Sequence, residues 1–427
     1  MQCNIALARM RFELGTAYML YQAFELTHAA LAPYRAMSQF TEYMNASIYN
    51  PVSYTPMGKS ISAACSVFNS ITKRYGKPEW DISETIRGSK SLIIHIETVH
   101  STPFCNLIKF QKQQSPNQSA TDPKVLIVAP LSGHYATLLR GTVSAMLPDH
   151  NVYVTDWHDA RNVPLSAGDF DLEDQVDTLI DFIQFLGPDV NIIAVCQPSV
   201  SVLTAAAIMA EDNDPFQPKT MTLMGGPIDT RVNPTAVNRH AENHDISWFK
   251  QNVISRVPYP HAGAMRSVYP GFLQLSGFMS MNLDRHVDAH VGLYNHLVDG
   301  DGDSAYQHRS FYDEYLSVMD LSATFFLQTI DVVFKNHKLA KGEMMHRGRA
   351  VDPSKITKTA LMTVEGENDD ICAVGQTSAA HALCSQLKSS QKIEFVQPGV
   401  GHYGVFNGHR WREETQPKIA KFIQDQK

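Results

Sequence analysis

Polar and apolar positions alternate along this chain in three regimes. From Met1 to about Trp80 the spacing is helical, with Met19, Leu20, Phe24, Leu26 and Leu31 set around a polar face, and with Pro51 and Pro56 interrupting a mixed, polar stretch over Gln39–Gly76. Strands are expected from about Ser91. Ser91–Ile96 and Asn106–Phe110 read as an antiparallel pair, followed by the polar loop QKQQSPNQSATDP. Val125–Pro130 and Asn151–Asp156 read as buried strands, Leu172–Leu186 as a helix, and Asn191–Val195 as a central strand. Met221–Gly225 follows as another. The alternation then stops from about Asp229 to Ser354, a stretch rich in Tyr, Phe, Met, His and Pro with no clear strand, within which Arg309–Leu339 predicts one long helix. It resumes with a strand at Ala360–Gly366, a helix over about Gln376–Leu387 and a last strand at Lys392–Val396.

Strands alternating with helices at this spacing imply right-handed crossovers and a mostly parallel sheet with helices on both faces, an α/β fold. The expected division is an N-terminal helical arm (1–90), an α/β core (91–228 and 355–427) and a helical cap insertion (229–354). In such a sheet a site lies at the carboxyl ends of the strands, where Leu131, Asp156 and Cys196 are expected to meet.

Composition narrows the picture. The chain has 427 residues, a formal net charge of −7 and 44% hydrophobic residues, so it lacks the basic face of a nucleic-acid binder. Its apolar runs are shorter than the roughly 20 residues that span a bilayer, and Arg9, Arg11, Glu13 and Glu25 interrupt the first helix, unlike a signal peptide. Six scattered cysteines without a CxxC pair predict neither a zinc site nor a disulfide framework and point to a reducing cytoplasm. VDGDGDS looks like a calcium loop, but counting from Asp299 its sixth and twelfth positions are Ser304 and Ser310 rather than glycine and glutamate.

The candidate chemistry lies in NIIAVCQPSVSVLTAAAIM, Asn191 to Met209. A β-branched run ends at Cys196, and Pro198 opens an alanine-rich segment at the first helical position, where its missing N–H has no intrahelical partner to lose. A strand, a tight turn and a helix of this kind form a nucleophile elbow, though the usual Gly-x-Ser-x-Gly is replaced by Ala194, Cys196 and Pro198. The helix N-terminus favours a thiolate, and the Gln197 amide is placed to hold an oxyanion together with the amide of Leu131. Asp369 and His402 each follow a later strand, giving the chain order of α/β-hydrolase triads. Asp370 is adjacent and could serve instead, although Asp369 has the expected spacing from Gly366. His402 is flanked by Gly399, Gly401 and Gly404, which allow a sharp turn. His134, near the oxyanion loop, is a weaker candidate for contacting substrate, and Ser199 would lie on the helix body rather than at the turn.

Across nearly its whole length the chain resembles the intracellular poly(3-hydroxybutyrate) depolymerases. The resemblance is carried by MLYQAFELTHAALAP (19–33), VTDWHDARNVPLSAGDFDLEDQVD (154–177), AVCQPSV (194–200), HRSFYDEYLSVMDLSATFFLQTI (308–330), TVEGENDDICAVGQT (363–377) and PGVGHYGVFNG (398–408). It implies an α/β-hydrolase fold, a triad at Cys196, Asp369 and His402, no cofactor, and a polyester granule in the cytoplasm as partner, with water or coenzyme A as acyl acceptor. It also implies a start near MLYQ, so that the first eighteen residues read as an extension or a different start site. Competing expectations are a polyester synthase, a small-ester cysteine hydrolase and a non-enzymatic granule coat protein. The arm reads as a helical wrap over the core, or as an amphipathic surface for docking onto an apolar particle.

Overall fold

The structure, a computed structural model, describes residues 2–47, 49–113, 122–281 and 283–426. The central part of the polar loop expected at 111–123 therefore lies outside the described residues.

The strands in chain order are β1 (Glu84–Arg87), β2 (Lys90–Thr102), β3 (Cys105–Lys112), β4 (Lys124–Val128), β5 (Asn151–Trp157), β6 (Val190–Val195), β7 (Thr220–Met224), β8 (Ser255–Arg256), β9 (Ser267–Tyr269), β10 (Leu321–Ser322), β11 (Met345–His346), β12 (Arg349–Ala350), β13 (Ala360–Gly366) and β14 (Lys392–Gln397). Nine of them form one sheet in the order β1-β2-β3-β5-β4-β6-β7-β13-β14. Pairing from β5 to β14 is parallel, and β1, β2 and β3 join antiparallel at one edge. The exchanged order of β4 and β5 beside an antiparallel edge is that of the α/β-hydrolase sheet, so the chain has an α/β-hydrolase fold. Every residue of β6, β7 and β13 is buried, as a parallel sheet covered on both faces requires.

β7 and β13 are neighbours in the sheet although more than a hundred residues separate them in the chain. The intervening segment is thus an insertion at the end of the sheet where β6 also finishes. Its pattern misled in two places. Short strands β8, β9 and β10 form a three-stranded sheet within it, and β11 pairs with β12, although no strand was expected there. Runs of two or three residues are too short to produce a period-2 signal. The single helix expected over Arg309–Leu339 is divided into helix Gly302–Tyr315, β10, helix Ala323–Thr329 and a π-helical turn, Ile330–Lys335. The break falls where Asp320 turns inward to accept hydrogen bonds from the Tyr21 hydroxyl and the Gly271 amide.

The arm is a helical hairpin. α1 (Gln2–Ala46) runs well into the stretch that read as mixed, and α2 (Pro56–Thr72) follows, so Pro51 and Pro56 each open a helical turn. Asn50 and Thr55 cap those two turns with their side chains. The arm ends before residue 84, not at 90, because β1 already belongs to the main sheet. The helix expected near Gln376–Leu387 is mostly turn, with only Ala380–Leu383 helical.

Candidate active site

Cys196 follows the last residue of β6, and its backbone has φ +65°, a left-handed conformation that costs a non-glycine residue about 1–3 kcal/mol. The surroundings enforce it. The Cys196 amide donates to Met224 O at 2.8 Å, its carbonyl accepts from the Ser199 amide at 3.1 Å, and helix Pro198–Glu211, with proline in its first turn, is buried from Pro198 to Met209. The thiol is half-buried, whereas Ser199 lies wholly inside the packing beneath the helix. Gly226 closes that space, since a Cβ there would stand 2.2 Å from the Ser199 side chain and 3.0 Å from Cys196 O.

The side chain after the thiol is pinned away from it. Gln197 and Gln175 exchange two side-chain hydrogen bonds of 3.0 and 3.2 Å, and the Gln175 carbonyl also accepts from the Ser201 hydroxyl at 2.6 Å. This neutral, buried network fixes the orientation of Gln197 while leaving its backbone N–H without a backbone acceptor among the described residues. Leu131 occupies the corresponding place on the neighbouring strand. Val128 pairs with Ala194, so Leu131 and Gln197 each stand three residues beyond a paired position, at the same end of the sheet.

His402 opens a short helical turn after β14, beyond Gly399 with its φ of +64°. Its Nδ1–H donates to Asp369 Oδ2 at 2.7 Å. The other carboxylate oxygen, Oδ1, accepts from the amides of Ile371 and Cys372 at 2.9 and 2.8 Å, so three donors orient one buried carboxylate. Asp370 is exposed and Asp369 is buried, which settles which of the two faces the imidazole. One strand residue earlier than the loop, the fully buried Glu365 accepts from the amides of Gly375, Thr377 and Ser378 and ties down the loop that carries Asp369. Gly225 supplies the clearance: a Cβ on it would come within 3.2 Å of His402 Cε1 and 3.5 Å of Asp369 Oδ2.

Burial by itself would lower the His402 pKa. The adjacent Cys196 sulfur, through charge and a side-chain hydrogen bond, and the Asp369 carboxylate outweigh it and hold the imidazole well above its ordinary range. With Nδ1 engaged by the carboxylate, Nε2 is the ring atom left for the thiol. The three residues Cys196, Asp369 and His402 are thus brought together from the ends of β6, β13 and β14.

Asp156 is not brought to the thiol. It lies on β5 opposite Asn106 of β3, and the Lys77 ammonium holds its carboxylate. His134 is a structural tie. Its Nε2–H donates to Tyr315 O at 3.0 Å, and burial pushes its pKa down to about 4, so the ring is neutral at pH 7. Together with the bond from the Met319 amide to Gly133 O at 2.7 Å, it fastens the inserted segment to the loop carrying Leu131. Two aromatic residues went unnoticed in the sequence. Tyr403, next to His402, packs at 6.3 Å from the Tyr315 ring of the insertion, and its phenol pKa is pushed up by burial first and then by Tyr315 and Cys196. Gln175 was also missed, although it interrupts the buried stripe Leu172, Val176, Leu179, Ile183 and Leu186, and a polar residue on such a stripe needs a buried partner.

Residues 225–427 match the family described as PHB de-polymerase C-terminus. That span contains Asp369 and His402. The poly(3-hydroxyalkanoate) polymerase subunit PhaC of Haloferax mediterranei is 21% identical over 335 residues, covering 74% of this chain. The chain spans 62% of that relative's length. Among solved structures, the thioesterase domain from the curacin biosynthetic pathway superposes with a TM-score of 0.40, with 10% identity over 78% of this chain and 99% of that one. A meta-cleavage product hydrolase from Pseudomonas fluorescens gives 0.42, with 11% identity over 81% and 98%. The chain is therefore similar in sequence to proteins of poly(3-hydroxyalkanoate) metabolism, and its own strand order carries the α/β-hydrolase fold.

Proposed function

We propose that this protein is a depolymerase that cleaves ester bonds of poly(3-hydroxybutyrate) through Cys196, His402 and Asp369. The observation that carries the reading is the meeting of a half-buried thiol on a positive-φ turn with an imidazole whose Nδ1 is held 2.7 Å from a buried carboxylate. The match of residues 225–427 supports the choice of polyester as substrate.

His402 takes the Cys196 proton, and the thiolate attacks an ester carbonyl carbon of the polymer. Asp369 fixes the tautomer of His402 and stabilises the imidazolium. The amides of Gln197 and Leu131 receive the oxyanion of the tetrahedral intermediate. Collapse breaks the carbon–oxygen ester bond, and His402 returns its proton to the departing alkoxide, leaving a 3-hydroxyacyl thioester on Cys196. Water, deprotonated by His402, then attacks the thioester and releases 3-hydroxybutyrate or a short oligomer, with the proton restored to the thiol. Coenzyme A as acceptor would release an acyl-coenzyme A by the same path. The insertion acts as the cap over this site, and Tyr315 and Tyr403 form its apolar wall.

A second reading has one observation in its favour, the 21% identity to a polymerase subunit. A synthase would use the same thiol to lengthen a chain from 3-hydroxybutyryl-coenzyme A. The two separate when native amorphous granules and 3-hydroxybutyryl-coenzyme A are offered in parallel, with and without free coenzyme A. Release of 3-hydroxybutyrate from granules by the wild type supports the depolymerase, while polymer growth without such release replaces it with the synthase.

A further inference from the structure

We infer that the outer face of α1 is a docking surface for the solid polyester itself, an inference that rests on the depolymerase reading. From Leu20 to Ala46 every exposed residue of this helix is uncharged. The three charged side chains of the stretch are all turned to partners within the protein. Glu25 pairs with Arg74, the Arg35 guanidinium donates to the carbonyls of Thr72 and His28, and Glu42 accepts from the Asn69 amide. What is left outside is large and apolar: Leu26 is 70% exposed, Met37 65%, Phe40 63% and Met44 45%.

These residues fall on one line. Leu26, Ala30, Pro33, Met37, Phe40 and Met44 recur at alternating steps of four and three, which places them on a single stripe of the helix. From Leu26 to Met44 that stripe is about 27 Å long at 1.5 Å per residue. Tyr34 and Tyr43 flank it, 59% and 76% exposed. A stable soluble surface seldom leaves so continuous an apolar strip in water unless something covers it.

The chemistry selects the occupant. An anionic membrane or a nucleic acid would call for lysine and arginine along the strip or its edges, and no exposed residue here carries a positive charge. A second copy pairing helix to helix would draw its register from charges flanking the stripe, and the flanks hold tyrosine, alanine and glutamine instead. An amorphous poly(3-hydroxyalkanoate) surface offers methyl groups, which Leu, Met and Phe can cover, and ester carbonyls that accept but never donate. The phenol O–H groups of Tyr34 and Tyr43 are the complementary donors. The helix is also firmly attached to the part of the molecule that covers the thiol. Tyr21 donates to Asp320 at 2.6 Å, Phe24 stacks on Phe272 at 4.1 Å, and Lys73 after α2 pairs with Asp313, two residues before Tyr315. Docking through α1 would therefore hold the cap, and with it the entrance to Cys196, against the polymer.

The test compares the full-length wild type, Met37→Glu/Phe40→Glu, Leu26→Glu and Cys196→Ala. Each is co-sedimented with amorphous poly(3-hydroxybutyrate) particles and with phosphatidylcholine vesicles, and its mass in solution is measured by light scattering. The expected result is that the wild type and Cys196→Ala bind particles equally, neither binds vesicles, and the double variant binds particles at least tenfold more weakly. Leu26→Glu, at one end of the stripe, should weaken binding less. Far-UV circular dichroism and turnover of a soluble short-chain hydroxyacid ester should stay at wild-type levels in both arm variants, which a merely structural role for the stripe would not allow. Undiminished particle binding by the double variant overturns the inference. So does equal wild-type binding to vesicles, or a wild-type dimer that the double variant converts to monomer. If the wild type binds particles through α1 but releases no acid, the depolymerase reading fails while the docking surface stands.

Discussion

The elbow and the arm bury their side chains by opposite rules. Around Cys196 every strand residue is enclosed, and the polar groups that accompany them, Gln175, Gln197, Ser201 and Glu365, are each met by a partner. In α1 the charged groups face inward to partners, and Leu26, Met37, Phe40 and Met44 face water. The elbow is complete within the chain: its strain at Cys196 and its close contacts at Gly225 and Gly226 are held by surrounding packing. The arm leaves apolar area uncovered at a nominal cost of about 25 cal/mol per Å². The elbow region thus meets its polar groups from within the chain, whereas the arm leaves an apolar strip that the docking proposal assigns to polyester.

Breaking the elbow should give the largest effects. Cys196→Ala should lower acid release from polyester by about a thousandfold or more, and Asp369→Asn by about a hundred- to ten-thousandfold through loss of the tautomer and of imidazolium stabilisation. Steady-state rates on granules check both, and a residual rate above a tenth of wild type in either would mean that the chemistry lies elsewhere. Gly226→Ala should next cost about 1–3 kcal/mol or more in stability, because its methyl would meet Ser199 at 2.2 Å, and a urea titration reads that loss.

The arm should respond differently. Tyr21→Phe leaves the buried Asp320 without one of its donors, and Asp320, pushed up to about 6 by burial and by Asp159, is poorly placed to lose it. A loss of about 1–3 kcal/mol is expected, seen first as faster amide exchange in α1 while the central sheet stays protected. Uniform loosening of the whole chain would show that arm and core unfold together and would erase the contrast.

The smallest and sharpest effect concerns His402. Its pKa is raised in part by the Cys196 sulfur, so Cys196→Ala should lower it, measured by following the imidazole resonances with pH. Since the folded pKa lies above the unfolded value of about 6.5, the stability gained is complete below that pH and is lost as pH rises through the folded pKa. The variant should lose it at lower pH than the wild type. An unchanged pKa would mean that Asp369 alone holds the charge.

How much of this was legible in the sequence differs between the same two regions. The β6 run, the turn at Cys196 and the helix opened by Pro198 were readable because a buried parallel strand and an N1 proline leave strong local signals. Asp369 and His402 were readable from their places after strands, but the preference for Asp369 over Asp370 became physical only with the amides of Ile371 and Cys372 in view. The role of His134 depended on Tyr315, far away in the chain, and its burial could not be inferred from a single histidine beside a glycine. The last turns of α1, from Gln39 on, read as mixed because polar residues such as Glu42 made the segment look solvated, when in the fold Glu42 turns inward to Asn69. In the insertion, strands of two or three residues left no pattern to read.

The central claim is that acyl transfer passes through the sulfur of Cys196. The most direct measurement is peptide mass mapping of the enzyme quenched rapidly during turnover of a short hydroxybutyrate oligomer. The expected result is a 3-hydroxybutyryl adduct on the peptide holding Cys196, removed by hydroxylamine and absent in Cys196→Ala. An adduct on Ser199, or undiminished turnover by Cys196→Ala, would contradict it.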